Sequence, residues 1–144
     1  MSEPSIHLVV RRTIRASPQR VFEAWTTPEL LVKWWGPAGV RCPSADVDLQ
    51  VGGIYRIGNE MPSGDTVWIS GEFEHIDPPN ELIYTWQVEP ARSAPERVTV
   101  RFEAHAEGTE VIVVHERIAS EPARDQHLAG WNGCLDGLET LLAG

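Results

Sequence analysis

The sequence predicts an α+β fold: one antiparallel sheet, two short helices near the start and one long helix at the end. Three patterns carry that expectation. Between Ser44 and Arg117 apolar residues alternate with polar ones and are interrupted by closely spaced turn signals, as in hairpin-linked strands. Ser17-Pro18 and Thr27-Pro28 each pair a capping residue with a proline at the first helical position. Leu128, Trp131, Leu135, Leu138 and Leu142 recur at helical spacing and form one apolar stripe. The resulting order is β-α-α-β6-α.

Taken in sequence, Ile6 to Ile14 is β-branched and long, and it ends at the turn Ala16-Ser17-Pro18. Val21, Phe22 and Trp25 then share one helical face. Leu30, Leu31 and Trp34 make a second narrow stripe, which Gly36-Pro37 stops. Val47 and Leu49 precede a turn at Gly52-Gly53, and Tyr55 and Ile57 follow it up to the polar loop Met61 to Asp65. Val67 to Ile76, Leu82 to Val88, Val98 to Phe102 and Val111 to Arg117 are four further strands in meander. They are separated by Asp77 to Asn80, by the loop Glu89 to Pro95, and by Glu107-Gly108. Ala123 to Leu142 is the long helix.

The chain has 144 residues, a common size for one domain, so residues 1–144 are expected to share one core. Lys and Arg number 12 against 21 Asp and Glu, a formal net charge of -9, which repels phosphate backbones and anionic lipid. Nucleic acid and membrane are therefore not expected partners. No apolar run is long enough to span a bilayer and the first residues lack the pattern of a signal peptide, so the expected location is cytoplasmic. Cys42 and Cys134 are too few for a disulfide framework and are expected to be reduced. No cluster of Cys, His and Asp has metal-ligand spacing, and no nucleophile elbow, phosphate loop or dinucleotide fingerprint is present. Neither a metal nor a cofactor is expected, and no residue is assigned a catalytic role.

The aromatic and histidine content points instead to a cavity. Six tryptophans are many for a core of this size. Trp25 and Trp131 read as core, Trp34, Trp35 and Trp86 as cavity walls, and Trp68 fits an exposed strand face. His115 shares a strand face with Val111 and Val113, and His127 projects to the same side of its helix as Trp131. The two histidines are placed to face one another, either as satisfied core residues or as polar anchors for a ligand. Glu116 alternates to the opposite face. Gly130, Gly133 and Gly137 form a smooth strip beside Cys134, which allows either close approach of helix to sheet or room for a ligand. The loop Glu89 to Pro95 is short of apolar anchors and is the expected place of entry, together with the second helix.

These residues also carry a resemblance. Ala16-Ser17-Pro18 with Val21-Phe22 and Ala24-Trp25-Thr26, followed by Pro28-Glu29, Leu31 and Trp34-Trp35-Gly36-Pro37, resembles the START-like SRPBCC superfamily, and within it the family of homologues of the activator of the heat-shock-protein-90 ATPase. Asp48-Leu49, Val51-Gly52-Gly53, Tyr55, Gly71, Phe73, Ile76, Pro78-Pro79, Leu82, Tyr84-Thr85-Trp86, Gly108-Thr109, His115-Glu116, Gly130-Trp131 and Cys134-Leu135 extend the likeness over essentially the whole chain. It implies a helix-grip fold, similar to that of the birch-pollen allergen, in which a curved sheet wraps the last helix around a cavity. Three roles then stand beside one another. The favoured one is a noncatalytic binding protein that holds a small hydrophobic or aromatic ligand between Trp34, Trp35, Tyr55, Trp86, His115, His127 and Trp131. The second is a cyclase- or dehydratase-like enzyme with His115 or His127 as acid or base. The third is an interaction module whose partner is a chaperone or another protein. A monomer and a homodimer fit equally.

Overall fold

The computed structural model describes residues 6–36, 40–89 and 95–142. Strand β1 (Ile6–Ile14) ends where Ser17 caps helix α1 (Pro18–Thr26), its hydroxyl accepting from the Arg20 amide at 3.3 Å. Helix α2 (Pro28–Trp34) begins at the second proline, but the Thr27 side chain makes no cap bond there, so Pro28 at the first position marks this start. Six strands follow: β2 (Ala45–Val47), β3 (Ile54–Glu60), β4 (Thr66–Asp77), β5 (Glu81–Val88), β6 (Glu96–His105) and β7 (Gly108–Ile118). Helix α3 (Glu121–Leu142) closes the described chain. It begins two residues before the apolar stripe suggests, because Ser120 Oγ accepts from the Ala123 amide at 3.2 Å and so caps it.

The strands form one seven-stranded antiparallel sheet in the order β1-β7-β6-β5-β4-β3-β2. β2 to β7 are a meander, and the crossover through α1 and α2 brings β1 against the last strand. Register shifts between Phe73 and His75 in β4 and between Ile6 and Leu8 in β1 help bend the sheet around α3. Strand alternation fixes the inner face: Val98, Val100 and Phe102 on β6 and Val111, Val113 and His115 on β7 are all buried. Against it lie Trp131, Cys134, Leu135, Leu138 and Leu142 of α3, with Val21, Phe22 and Trp25 of α1 and Leu31 and Trp34 of α2 sealing one end. A polar clamp holds the opposite side of α3 to β1: the half-buried Arg12 guanidinium donates to Asp136 at 2.7 Å and to Glu139 at 2.9 Å.

Two residues depart from the alternation. Leu49 is 41% exposed because β2 stops at Val47 and the chain turns, the Gln50 amide bonding back to the Asp48 carbonyl at 2.8 Å. Leu128 is 38% exposed: it sits at the margin of the stripe near the start of α3, where His127 turns toward the sheet in its place.

The glycine strip divides. A methyl group on Gly137 would stand 2.5 Å from the Trp34 carbonyl oxygen, so the close approach is to α2 and not to the sheet. On Gly130 the same group would meet nothing within 4 Å. The contact at Gly137 is backed one turn earlier by the Gly36 amide, which donates to Cys134 Sγ at 3.4 Å. Gly137→Ala is therefore expected to destabilise the protein by about 1–3 kcal/mol in urea unfolding, the overpacking outweighing the helix propensity gained. An unchanged or raised midpoint would contradict the packing described.

Candidate functional site

Among the described residues two cavities meet at Trp35 and Trp86, which form the partition between them: one lies between α3 and the sheet, the other between α1, α2 and the sheet. The larger, about 230 Å³, is bounded on the helix side by His127, Gly130, Trp131 and Cys134, and on the sheet side by Asn59, Val67, Ile69 and Val88, with Val40 and Met61 at its margin. The smaller is about 20 Å³, room for one water at most, and is enclosed by Trp25, Tyr55, Phe73 and Tyr84.

Of the seven residues expected to hold a ligand, Trp35, Trp86, His127 and Trp131 line the larger cavity. Tyr55 does not: it borders the small cavity, with its hydroxyl donating to the Thr85 carbonyl at 2.6 Å. Trp34 lines neither. It is 2% exposed, packs between Trp25 and Trp35, and donates its indole N–H to the Ala24 carbonyl at 2.8 Å, which makes it core. His115 lies behind the wall, fully buried. The expected entry falls largely on residues 90–94, outside the described residues.

The tryptophans are positioned through their N–H groups. Trp25 donates to the Tyr84 hydroxyl at 3.3 Å and Trp35 to Asn59 Oδ1 at 2.9 Å. Asn59 is held in turn by the Val67 carbonyl at 3.1 Å. Trp68 packs on the other face of the sheet under the Arg56 guanidinium, 3.9 Å from the ring centre. Among the described residues Trp86 has the one buried side-chain N–H without an acceptor.

The histidines meet more closely than two facing walls. Their rings stack with centroids 4.4 Å apart, and both Nε2 atoms converge on one oxygen of Glu96, at 2.6 Å from His115 and 3.1 Å from His127. On the other edge of His115, Trp131 Nε1 lies 3.1 Å from Nδ1. An indole N–H can only donate, so Nδ1 accepts and the His115 proton is on Nε2, directed at Glu96. The chain Trp131→His115→Glu96 thereby fixes a neutral tautomer, and flipping the ring would break both bonds.

Charge follows from this geometry. Burial alone would raise the Glu96 carboxyl, but hydrogen bonds from His115 and His127 outweigh it and hold the group at about 2. Burial pushes His115 below its ordinary value of 6.5, more than Glu96 draws it up, and His127 adds to the lowering. Burial likewise pushes the Cys134 thiol up to about 12, so it is no nucleophile at neutral pH.

Glu96, His115 and His127 place three donor atoms within 4.8 Å of one another, a grouping that sequence spacing did not indicate. A metal ligated by His115 Nε2 would need the proton on Nδ1, where it would oppose the Trp131 N–H. The cluster is thus built for hydrogen bonding. Glu96 was missed because it follows the loop, yet its signal was present: counting back by twos from Phe102, Val100 and Val98 leads to Glu96 on the same inner face.

The cluster makes stability pH-dependent in one direction. Below its ordinary value of 6.5, His115 binds a proton in the unfolded chain that it resists in the folded one, so its contribution is present above that value and is lost as pH falls. Glu96 stabilises above its ordinary value of 4.5 and loses that contribution toward about 2. Urea midpoints are expected to fall between about pH 7 and about pH 5, with a shallower fall in His115→Leu. Equal slopes would show that His115 is not held neutral.

The family model described as Activator of Hsp90 ATPase homolog 1-like protein matches residues 15–143. A crystal structure of a Chromobacterium violaceum protein superposes with a TM-score of 0.88 at 24% identity, over 96% of this chain and 97% of that one. The AHSA1 protein of Silicibacter pomeroyi does so with a TM-score of 0.85 at 25% identity, over 96% and 98% of the two chains. A Nitrosomonas europaea protein gives 0.80 at 25% identity, over 95% and 94%. No curated protein matches the chain. None of the described helices is long and apolar enough to cross a membrane. With its helix-grip arrangement and a family match spanning nearly all of the sequence, the chain belongs to the Activator of Hsp90 ATPase homolog 1-like protein family of the START-like SRPBCC superfamily.

Proposed function

We propose that this protein binds a small hydrophobic or aromatic molecule in the cavity between α3 and the sheet. The observation that carries this reading is the cavity itself, about 230 Å³ with walls that are mainly aromatic and aliphatic. A dry apolar cavity of about 150 Å³ is enough for benzene, so the space suits one or two fused rings. Trp35, Trp86 and Trp131 supply ring faces and edges, while Asn59, Gln126 and His127 are the polar groups that would orient a guest. Gly130 supports the reading from another side, since a glycine inside a helix costs about 1 kcal/mol against alanine and here no close packing offsets that cost.

Gly130 also supplies the test. Gly130→Ala is expected to raise stability by up to about 1 kcal/mol, and Gly130→Leu to fill the cavity and weaken binding of a naphthalene-based dye about ten-fold or more without unfolding the protein. Dye fluorescence titrations on folded variants measure this. Wild-type affinity in Gly130→Leu would remove the cavity as the binding site.

A further inference from the structure

Of Glu96, His115 and His127, only His127 also lines the larger cavity. His115 has both ring nitrogens engaged, Nδ1 by Trp131 and Nε2 by Glu96. His127 has its Nε2 3.1 Å from Glu96, and its Nδ1 has no hydrogen-bond partner among the described residues. A lone pair on His127 Nε2 would face those of the carboxylate, so the neutral tautomer of this ring has its proton on Nε2 and its lone pair on Nδ1. The cluster therefore offers the cavity an imidazole acceptor at Nδ1, with the Glu96 carboxylate facing the proton on Nε2.

Resting on the binding reading above, we propose that the ligand carries an uncharged, weakly acidic hydroxyl, a phenol or an enol, that donates its proton to His127 Nδ1. A ring system fits the tryptophan walls and its hydroxyl supplies the donor that His127 lacks. An ether of the same shape has no proton to give. A carboxylate has none either at neutral pH, and it would meet the negative charge of Glu96 behind the imidazole, in a chain whose formal net charge is -9. Glu96 and His115 act here as positioning residues: one holds the tautomer of His127, and the other, anchored by Trp131, holds Glu96.

The probes are 2-naphthol, 2-methoxynaphthalene and 2-naphthoate, titrated into the folded protein at neutral pH while the indole N–H signals are followed by NMR. The expected result is that 2-naphthol binds about ten-fold more tightly than the ether, the worth of one hydrogen bond, and more tightly than the carboxylate. In His127→Phe the naphthol and ether affinities should converge to within about two-fold, and in Glu96→Gln the preference should shrink without vanishing. Equal binding of naphthol and ether by the wild type, tighter binding of naphthoate, or an undiminished preference in His127→Phe would each overturn the hydroxyl assignment while leaving the cavity as a binding site. Failure of all three probes to move any indole signal would overturn the binding reading together with the assignment.

Discussion

The interaction on which the interior depends is the bond from the Trp131 indole N–H to His115 Nδ1, at 3.1 Å. It joins the long helix to the last strand at a point with no exposure to solvent, where an unpaired imidazole would cost about 1–3 kcal/mol per unsatisfied group. Because indole is only a donor, the bond also decides where the His115 proton resides, and so directs Nε2–H at Glu96 on the neighbouring strand. One contact thus settles a rotamer, a tautomer and the ionised state of a carboxylate some distance away. His127 inherits its own orientation from that carboxylate.

The aromatic interior shows the same economy. Trp25, Trp35 and Trp131 each place an apolar ring in the core and direct the N–H to an acceptor on another element, so they orient α1, the end of α2 and α3 against the sheet. Trp34 spends its N–H locally on Ala24 and acts as the floor under α3. Trp86 alone among these leaves its donor unpaired, and it is also the ring that touches Trp35, Trp131, His115 and His127 at once. Its place in the wall is set by packing.

The elements were legible in the sequence because local signals and long-range packing agree. Ser17-Pro18 and Pro28 start helices where the chain must turn back, and alternation from β3 to β7 places the same side of every strand on the core. His115 was readable as inward for that reason. What local periodicity does not encode is which inward groups meet: Glu96 and His127 are separated by two strands and a turn, and it takes the β6–β7 register to set Glu96 beside His115 and the packing of α3 on the sheet to bring His127 to both. The same limit separates Tyr55 from the larger cavity and Trp34 from both, since an inward direction does not say which side of Trp35 a residue lies on. Leu49 failed for a different reason, a turn that began before the apolar pattern ended.

Helix α3 reconciles two demands that conflict in most helix-on-sheet packings, a tight grip and an empty space. Its last turns are held close, with Gly137 against the Trp34 carbonyl and Arg12 clamping Asp136 and Glu139 from the other side. Its first turns stand off the sheet, spaced by the stacked histidines and by Trp131, and Gly130 opens onto the gap. A uniformly apolar stripe would close that gap by collapse, as the exposed Leu128 indicates: the stripe's first leucine is turned out and a histidine turned in. The imidazole pair can hold the space because its polar edges are bonded to Glu96 and Trp131, which resists collapse in a way that a leucine, free to repack, does not. The cavity is therefore maintained by directional bonds at one end of the helix and by close packing at the other.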